Sequence, residues 1–313
     1  MSELPANQEH GRYPGANKLY SPPKLNESSP LRISVLLTCH NRRDQTLACL
    51  DRVFRQELPE GYILEVFLVD DGSTDGSGGA VRRHFPQVHI LKGSGNLFWT
   101  GGMRVAYEAA KTTDPDFYLW LNDDTMLNPT AVATLLETHQ LLGEQGDSSA
   151  IIVGSVKDPD TGRFTYGGVV RCSRWHPMKF APVEPGDRPK PCDTFNGNCV
   201  LIPRNVARLV GNLDKAFTHA MGDTDYGLRA LRAGCSNWVA PGSVGACRRN
   251  IPQNENTMTR RSFRERWRQV NKSKGLPPKE YASLLRRHGG PLWFVFWCLP
   301  YVRMMLGGRL PAK

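Results

Sequence analysis

Short apolar runs alternate with longer mixed stretches along the first part of the chain. Residues 32–38 form a β-branched, leucine-rich run that stops at Cys39-His40-Asn41-Arg42, and a helix-like stretch begins near Asp44. The pattern recurs. A second strand over 64–69 ends in Asp70-Asp71-Gly72-Ser73-Thr74-Asp75-Gly76, a short helix follows over 79–84, and a third strand covers 88–91. Residues 101–111 read as a helix with small residues at its start, and 117–121 as a fourth strand. Strands alternating with helices predict an α/β fold whose mainly parallel sheet carries helices on both faces. Ligands of such sheets bind beyond the carboxyl ends of the strands, where the polar loops after the first, second and fourth strands would converge.

The fourth strand carries the most chemistry. In Leu119-Trp120-Leu121-Asn122-Asp123-Asp124-Thr125 an apolar run halts at two adjacent carboxylates. An unpaired carboxylate in an apolar core is costly, so acids at a strand tip need a cation or a hydrogen-bond partner. A surface turn, or the N-cap of a helix opened by Pro129, accounts for the same residues. Gly95 to Gly102 also has two readings: a backbone cradle for phosphate, or a tight turn with close helix packing. No Lys-Ser or Lys-Thr follows it, so it is not a Walker loop and ATP hydrolysis finds no support. Residues 194–202 read as a later strand with a polar front, or as a structural turn. In Gly222-Asp223-Thr224-Asp225-Tyr226-Gly227-Leu228-Arg229-Ala230 two acids at a helix start either do chemistry or favour the positive end of the helix, and His219 lies nearby.

The chain has 313 residues and 40% hydrophobic content, enough for one large or two modest domains. Residues 1–30 are rich in Pro, Asn, Ser and Gly without apolar periodicity, which predicts a flexible arm without a signal segment and a cytoplasmic protein. The eight cysteines form no CxxC pair and no zinc-type spacing, so reduced thiols are expected. The net charge of +10 is concentrated: between Arg248 and His288 twelve basic residues face three acidic ones. Such a block attracts nucleic acid, anionic headgroups or a diphosphate-bearing substrate. Residues 291–306 are aromatic and apolar but broken by Pro300 and Arg303. A membrane span needs about 20 apolar residues, so this segment predicts an anchor lying at an anionic membrane surface. Docking on the catalytic core or on a homodimer partner is the alternative.

Five motifs in one order and spacing carry a resemblance. They are Thr38-Cys39-His40-Asn41-Arg42, Val69-Asp70-Asp71-Gly72-Ser73-Thr74-Asp75, Asn96-Leu97-Phe98-Trp99-Thr100-Gly101-Gly102, Asn122-Asp123-Asp124 and the Gly222 to Ala230 stretch. Together they resemble family 2 glycosyltransferases of the GT-A fold, most of all the rhamnosyltransferase-like and galactofuranosyltransferase-like members, over roughly 32–250. The chain then divides into the arm, a GT-A catalytic domain over 31–250 and a basic, aromatic helical extension over 251–313.

The resemblance implies a nucleotide-sugar site formed by Thr38, Asn41, Arg42, Asp71, Asn96, Trp99, Gly101, Gly102, Asn122 and Asp123. Within it Asp71 would accept from a pyrimidine N–H, and Thr38 would place a hydroxyl at the first loop. Asp70 and Asp75 fit better as turn formers. Trp99 would form a stacking wall. Asp124 matches the family's metal-binding aspartate, and Asp123 would lie near sugar or ribose hydroxyls. Asn122 departs from the strict Asp-X-Asp form and would orient sugar or nucleotide. Two phosphates beside a carboxylate need a hard divalent cation, Mg²⁺ or Mn²⁺, which takes few protein ligands. Some relatives supply a further ligand from a histidine whose counterpart here is Cys247. Thiolate suits Mg²⁺ poorly, so packing, or a place behind the metal's own ligands, is expected there. Asp223 resembles the catalytic base, with Asp225 its rival on the acceptor side beside Asn196 and Gly197.

The resulting expectation is an inverting, metal-dependent glycosyltransferase, peripheral at the cytoplasmic membrane face. It would move rhamnose in preference, otherwise galactofuranose or another UDP-linked sugar, from a dTDP or UDP donor to a glycan or polyprenyl-linked acceptor. Two other classes compete: a nucleotidyltransferase, for which Arg42 and Arg43 are thin support, and a non-catalytic module whose basic tail holds membrane or, less in keeping with the aromatic segment, nucleic acid.

Overall fold

A computed structural model describes residues 29–249, 263–273 and 275–305. The arm expected over 1–30 falls almost wholly outside them, as do Arg260, Arg261 and Lys274 of the basic block.

The first half is a repeating β–α unit. β1 (Leu31–Cys39), α1 (Arg43–Phe54), β2 (Tyr62–Asp70), α2 (Ser77–His84), β3 (His89–Lys92), α3 (Phe98–Lys111) and β4 (Phe117–Leu121) follow in turn. β1 pairs in parallel with β2 and β4, and β2 with β3. Both faces of this sheet are covered, which is why its strands read as unbroken apolar runs. Ile33, Val35 and Leu37 of β1 pack with Cys49, Leu50 and Val53 of α1, while Leu36 packs with Met103, Ala106 and Tyr107 of α3 on the other face.

β5 (Met126–Leu127), α4 (Ala131–Glu144), β6 (Ala150–Val153), β7 (Val156–Lys157), β8 (Phe164–Tyr166), β9 (Gly168–Arg171), β10 (Phe180–Pro182), β11 (Lys190–Cys192), β12 (Thr194–Phe195) and β13 (Cys199–Pro203) come next. α5 (Arg204–Val210), α6 (Gly222–Arg232), β14 (Ser236–Val239) and β15 (Gly245–Ala246) complete this part. The main sheet has eight strands in the order β11-β14-β6-β13-β4-β1-β2-β3. It is mainly parallel, but β13 runs antiparallel to both β4 and β6, and β11 antiparallel to β14. The chain crosses from β3 back over β1 to β4, so the strand order reverses between β1 and β4. A crevice opens at such a switch point beyond the carboxyl ends of the strands.

Three local expectations shift. The helix expected over 101–111 begins at Phe98, because the Asp71 carboxylate accepts from the N–H groups of Leu97 and Phe98 and caps it early. Pro129 does not open the next helix, which starts at Ala131 after Thr130. Residues 194–202 form two strands, β12 and β13, separated by a turn at Asn196-Gly197-Asn198.

The C-terminal residues form α7 (Phe263–Val270), α8 (Pro278–His288) and α9 (Trp293–Met305) around their own apolar cluster of Val270, Tyr281, Leu285, Tyr301 and Met304. Trp297 Nε1 donates to Pro278 O at 2.9 Å, and Tyr301 OH to Leu276 O at 3.1 Å, fixing α9 on α8. The opposite side of this region leaves Leu292, Phe294, Val295, Val302 and Met305 exposed. Among the described residues no helix is long and apolar enough to cross a membrane.

Gly102 shows how tightly α3 lies on β1, since a Cβ at this position would collide with the Thr38 hydroxyl and come within 2.7 Å of the Thr38 Cβ. Gly102→Ala is therefore expected to destabilise the fold by roughly 1–3 kcal/mol through overpacking. Denaturant unfolding checks this, and an unchanged midpoint would mean that α3 can lift off the sheet freely.

Candidate active site

At the switch point the loops after β1 and β4 meet through charge. Arg42 Nη1 donates to Asp123 Oδ1 at 3.0 Å and to Asp124 Oδ2 at 2.8 Å. One guanidinium thus bridges two acids that the apolar strand β4 delivers side by side. Asp123 is 5% exposed, and burial pushes its carboxyl up to about 6 despite the opposing pull of Arg42. Its Oδ2 is buried without a hydrogen-bond partner. β15 pairs antiparallel with β5, Ala246 opposite Met126, so Cys247 arrives beside Asp124. The Cys247 thiol donates to Asp124 Oδ1 at 3.5 Å, and burial pushes it up to about 12. It is a neutral neighbour of the acid, in keeping with the packing role expected of it. A groove of about 390 Å³ lined by Asn41, Arg42, Arg43, Asp44, Gln45 and Asp75 opens alongside.

Asp223 reaches this site through a chain of contacts. Its Oδ2 accepts from the Gly197 N–H at 3.0 Å, and a Cβ on Gly197 would strike the Trp99 ring. The Trp99 indole N–H donates to Asn122 Oδ1 at 2.6 Å, and Asn122 precedes the acid pair. Gly197 is thus the residue that lets the indole lie between Asp223 and Asn122. The Asn122 amide oxygen holds Trp99 in place. Asn196 sits in the same turn, its N–H donating to Gly167 O at 3.0 Å.

The second loop is organised from within. The Asp71 carboxylate is 2% exposed and accepts from Gly95, Leu97 and Phe98 N–H at 2.7, 2.9 and 2.9 Å. Three backbone donors on this carboxylate fix the loop over 93–98. At the start of α3 Thr218 O accepts from Thr100 and Gly101 N–H, and Gly101 and Gly102 are both buried in packing. Thr38 lies beneath Gly102, 9% exposed, which explains why helix and strand approach so closely there.

Asn41 and Asn96 are exposed beside these loops. Asn41 Oδ1 accepts from Thr74 N–H at 2.7 Å and ties the first loop to the second. Asp70 accepts from Ser73 and Gly78 N–H, and Asp75 from Ser77 and Arg43 N–H, so both are turn formers as expected. Three non-glycine residues with positive φ border the site: Asn41 at 51°, Phe98 at 54° and Met221 at 71°. Such strain persists only where surrounding contacts overdetermine it, and it clusters at functional sites.

Asp225 does not face an acceptor. It is fully buried, bonded by Arg229 Nε at 2.8 Å and Arg287 Nη1 at 3.1 Å, and paired with His288 Nε2 at 3.0 Å. Burial works against its ionisation, but the bonds from His288 and Arg229 and the charge of Arg287 hold its carboxyl below the usual range. Sequence reasoning missed Arg287 and His288 at this position; only the i,i+4 spacing of Asp225 and Arg229 hinted at a pair.

Among the described residues no cluster of three or more His, Cys, Asp or Glu side chains could hold a metal. Mg²⁺ and Mn²⁺ ask for less, completing their shells with phosphate oxygens and water. The hard oxygens of Asp123 and Asp124, with one buried acceptor left unpartnered, fit such an ion.

A parallel sheet reversing at β1 and β4, an acid pair at the switch point and a further acid beyond Trp99 define the GT-A class of glycosyltransferase folds. The same fold occurs in the Pyrobaculum calidifontis mannosyltransferase PcManGT in complex with GDP-Man and Mn²⁺, at TM-score 0.53 and 18% identity over 89% of this chain and 71% of that one. It occurs too in GalNAc-T7 with UDP, GalNAc and Mn²⁺, at TM-score 0.62 and 14% identity over 91% and 52%. The family model "Glycosyl transferase family 2" matches residues 34–183. Among curated relatives, the N-acetylglucosaminyl-diphospho-decaprenol L-rhamnosyltransferase of Mycobacterium tuberculosis is 25% identical over 57% of this chain and 64% of its own length. Galactofuranosyltransferase GlfT2 of the same species is 29% identical over 68% and 36%. The chain therefore spans less than two thirds of the length of either relative.

The raised Asp123 carboxyl has a consequence for stability. Its ordinary value is 3.8, so the folded chain holds this proton more tightly than the unfolded one and stability falls as pH rises from about 4 to about 6. Asp123→Asn removes that loss. In EDTA at pH 7.5 the variant is expected to gain roughly 2–3 kcal/mol over the wild type, the two converging below pH 4. Calorimetric melts across that range check it, and a less stable variant at pH 7.5 would mean that pairing with Arg42 outweighs burial.

Proposed function

We propose that the chain is an inverting, divalent-metal-dependent glycosyltransferase that moves a sugar, rhamnose first and galactofuranose second, from a nucleotide diphosphate donor to a glycan or polyprenyl-linked acceptor. The observation that carries this reading is the convergence of Arg42, Asp123 and Asp124 at the switch point with Asp223 across Trp99. The sugar preference, and a dTDP or UDP donor, rest on likeness to the rhamnosyltransferase and to GlfT2. A catalytic unit over 31–250 with an extension over 251–313 goes with this reading.

Each residue then has a task. Asp124, with Asp123, would hold the cation, Mg²⁺ or Mn²⁺, which when bound supplies charge neutralisation for the departing diphosphate. Arg42 adds a fixed positive charge beside the same acids. Asn41 and Asn96 flank the nucleotide, and Asp71 shapes its pocket through the loop over 93–98. Trp99 offers a flat wall for the sugar, and the turn at Asn196 and Gly197 borders the acceptor. As the acceptor oxygen bonds to the anomeric carbon, the bond from that carbon to the diphosphate oxygen breaks and the hydroxyl proton passes to Asp223. A carboxylate can do this, because the hydroxyl grows acidic as the new C–O bond forms. A single displacement inverts the configuration.

The exposed apolar residues of α9, together with the exposed cations Arg264, Arg268, Lys272 and Arg303 of the same C-terminal region, support docking at an anionic membrane surface on the cytoplasmic side, where a polyprenyl-linked acceptor would be found. A second copy of the chain is the competing partner for this face.

Nucleoside diphosphate release from dTDP-rhamnose, UDP-galactofuranose, GDP-mannose and UDP-GalNAc, each with Mg²⁺, Mn²⁺ or EDTA, tests the enzyme. Turnover of at least one donor with metal is expected, with none in EDTA, and Asp223→Asn should lower it by about 10²–10⁴-fold. Turnover unaffected by EDTA and by Asp223→Asn would sink the mechanism. For the extension, co-sedimentation with phosphatidylglycerol vesicles at low salt and its loss in Phe294→Ser/Val295→Ser are expected. Failure to sediment, with a dimer in light scattering, would assign the face to self-association.

A further inference from the structure

The proposed base belongs to a segment that the C-terminal helix α8 grips at several points. Glu280 Oε2 accepts from the Thr218 N–H at 3.3 Å. Met221, held at a φ of 71°, packs against the apolar cluster of α7, α8 and α9. Arg287 donates to Asp214 Oδ2 at 2.5 Å and, through its other terminal nitrogen, to both oxygens of Asp225 at 3.1 and 3.2 Å. His288, 1% exposed in its side chain, pairs with Asp225 Oδ1 at 3.0 Å. Asp223 lies between Met221 and Asp225, so the elements of the extension hold the chain on both sides of it.

We infer that Arg287 and His288 are positioning residues for the transfer reaction: acting through the buried Asp225, they fix the strained entry into α6 and so aim the Asp223 carboxylate at the acceptor hydroxyl. This rests on the reading of Asp223 as the base. The backbone at Met221 has a reason to relax, since a non-glycine residue in the left-handed region is strained and adopts it only under constraint. Without the clamp on Asp225 the first turn of α6 is free to rotate out of that conformation, which would break the bond from Gly197 N–H to Asp223 Oδ2. The same segment carries Thr218, whose carbonyl caps α3, and α3 begins beside Trp99. A buried acid locked by two arginines and a histidine is otherwise a poor investment for the fold, because the desolvation of such ions offsets most of their attraction.

The pattern of kinetic loss separates positioning from mere stability. In the full chain, with whichever donor the panel accepts, His288→Ala and Arg287→Ala are expected to lower kcat for transfer by about 10–100-fold, the cost of a small misplacement of a reacting group. The donor KM and the affinity for UDP or dTDP with Mn²⁺ should stay within about two-fold, since the metal and nucleotide residues lie on other loops. His288→Gln keeps a nitrogen donor facing Asp225 and should restore most of kcat. Amide exchange at residues 218–224 should quicken in the alanine variants and not in the glutamine one. The inference is overturned if the alanine variants keep full kcat, if they lose nucleotide affinity in proportion to kcat, or if His288→Gln behaves as His288→Ala. Should Asp223→Asn itself turn over at the wild-type rate, the base assignment fails instead, and that result is distinct from any of these.

Discussion

Two adjacent carboxylates at the tip of a strand buried from end to end set the terms for the rest of this structure. β4 is enclosed on both sides, so Asp123 and Asp124 emerge from an apolar layer with little water to share their charge. Burial and the neighbouring charge of Asp124 both oppose the ionisation of Asp123, and one bridging guanidinium offsets part of that cost. Arg42 can reach the pair because β1 lies next to β4, and β1 lies there because the chain crosses back over it after β3. The reversal of strand order, the crevice and the charge cluster are thus one feature seen at three scales.

Around this cluster, acids that look interchangeable in the sequence have been given unlike roles by their surroundings. Asp70, Asp71 and Asp75 spend their oxygens on backbone N–H groups and hold loops in shape. Asp225 is consumed by cations, while Asp223, two residues away on the same helix, is bonded through backbone N–H groups of Gly197 and Thr224 at the edge of the site. Strained backbone at Asn41, Phe98 and Met221 shows what these arrangements demand of the chain.

Much of this was legible in the sequence because it depends on local periodicity. The three β–α repeats and the fourth strand follow from apolar runs punctuated by polar loops, and the acid pair at the end of 117–121 marks the crevice without any coordinates. Turn-forming roles for Asp70 and Asp75 were also readable, since such chemistry acts within a few residues. What escaped were relations between residues far apart in the chain. The loop-holding part played by Asp71 is hidden because its partners, the N–H groups of Gly95, Leu97 and Phe98, lie in another loop. Nothing in the neighbourhood of Gly95 to Gly102 reveals that Thr218 O accepts from the N–H groups of Thr100 and Gly101. Asp225 looked like a rival base because Arg287 and His288 come from a helix more than sixty residues away.

The orientation of β13 ties the two halves of the site together. Had it run parallel to β4, the turn before it would sit at the amino-terminal edge of the sheet, beside Phe117 and away from the acids. Running antiparallel, it sets Cys199 opposite Leu121, and its preceding turn of Asn196, Gly197 and Asn198 meets the end of β4, Asn122 N–H donating to Asn198 O at 3.1 Å. That one reversal brings Gly197 under Trp99 and within reach of Asp223, so the acid on α6 is placed relative to the acids on β4 through a rigid strand pair. A loop connection would leave the distance between them to thermal motion. The strand pair fixes it, and a reaction that needs a proton acceptor on one side and a stabilised leaving group on the other requires that distance to be fixed.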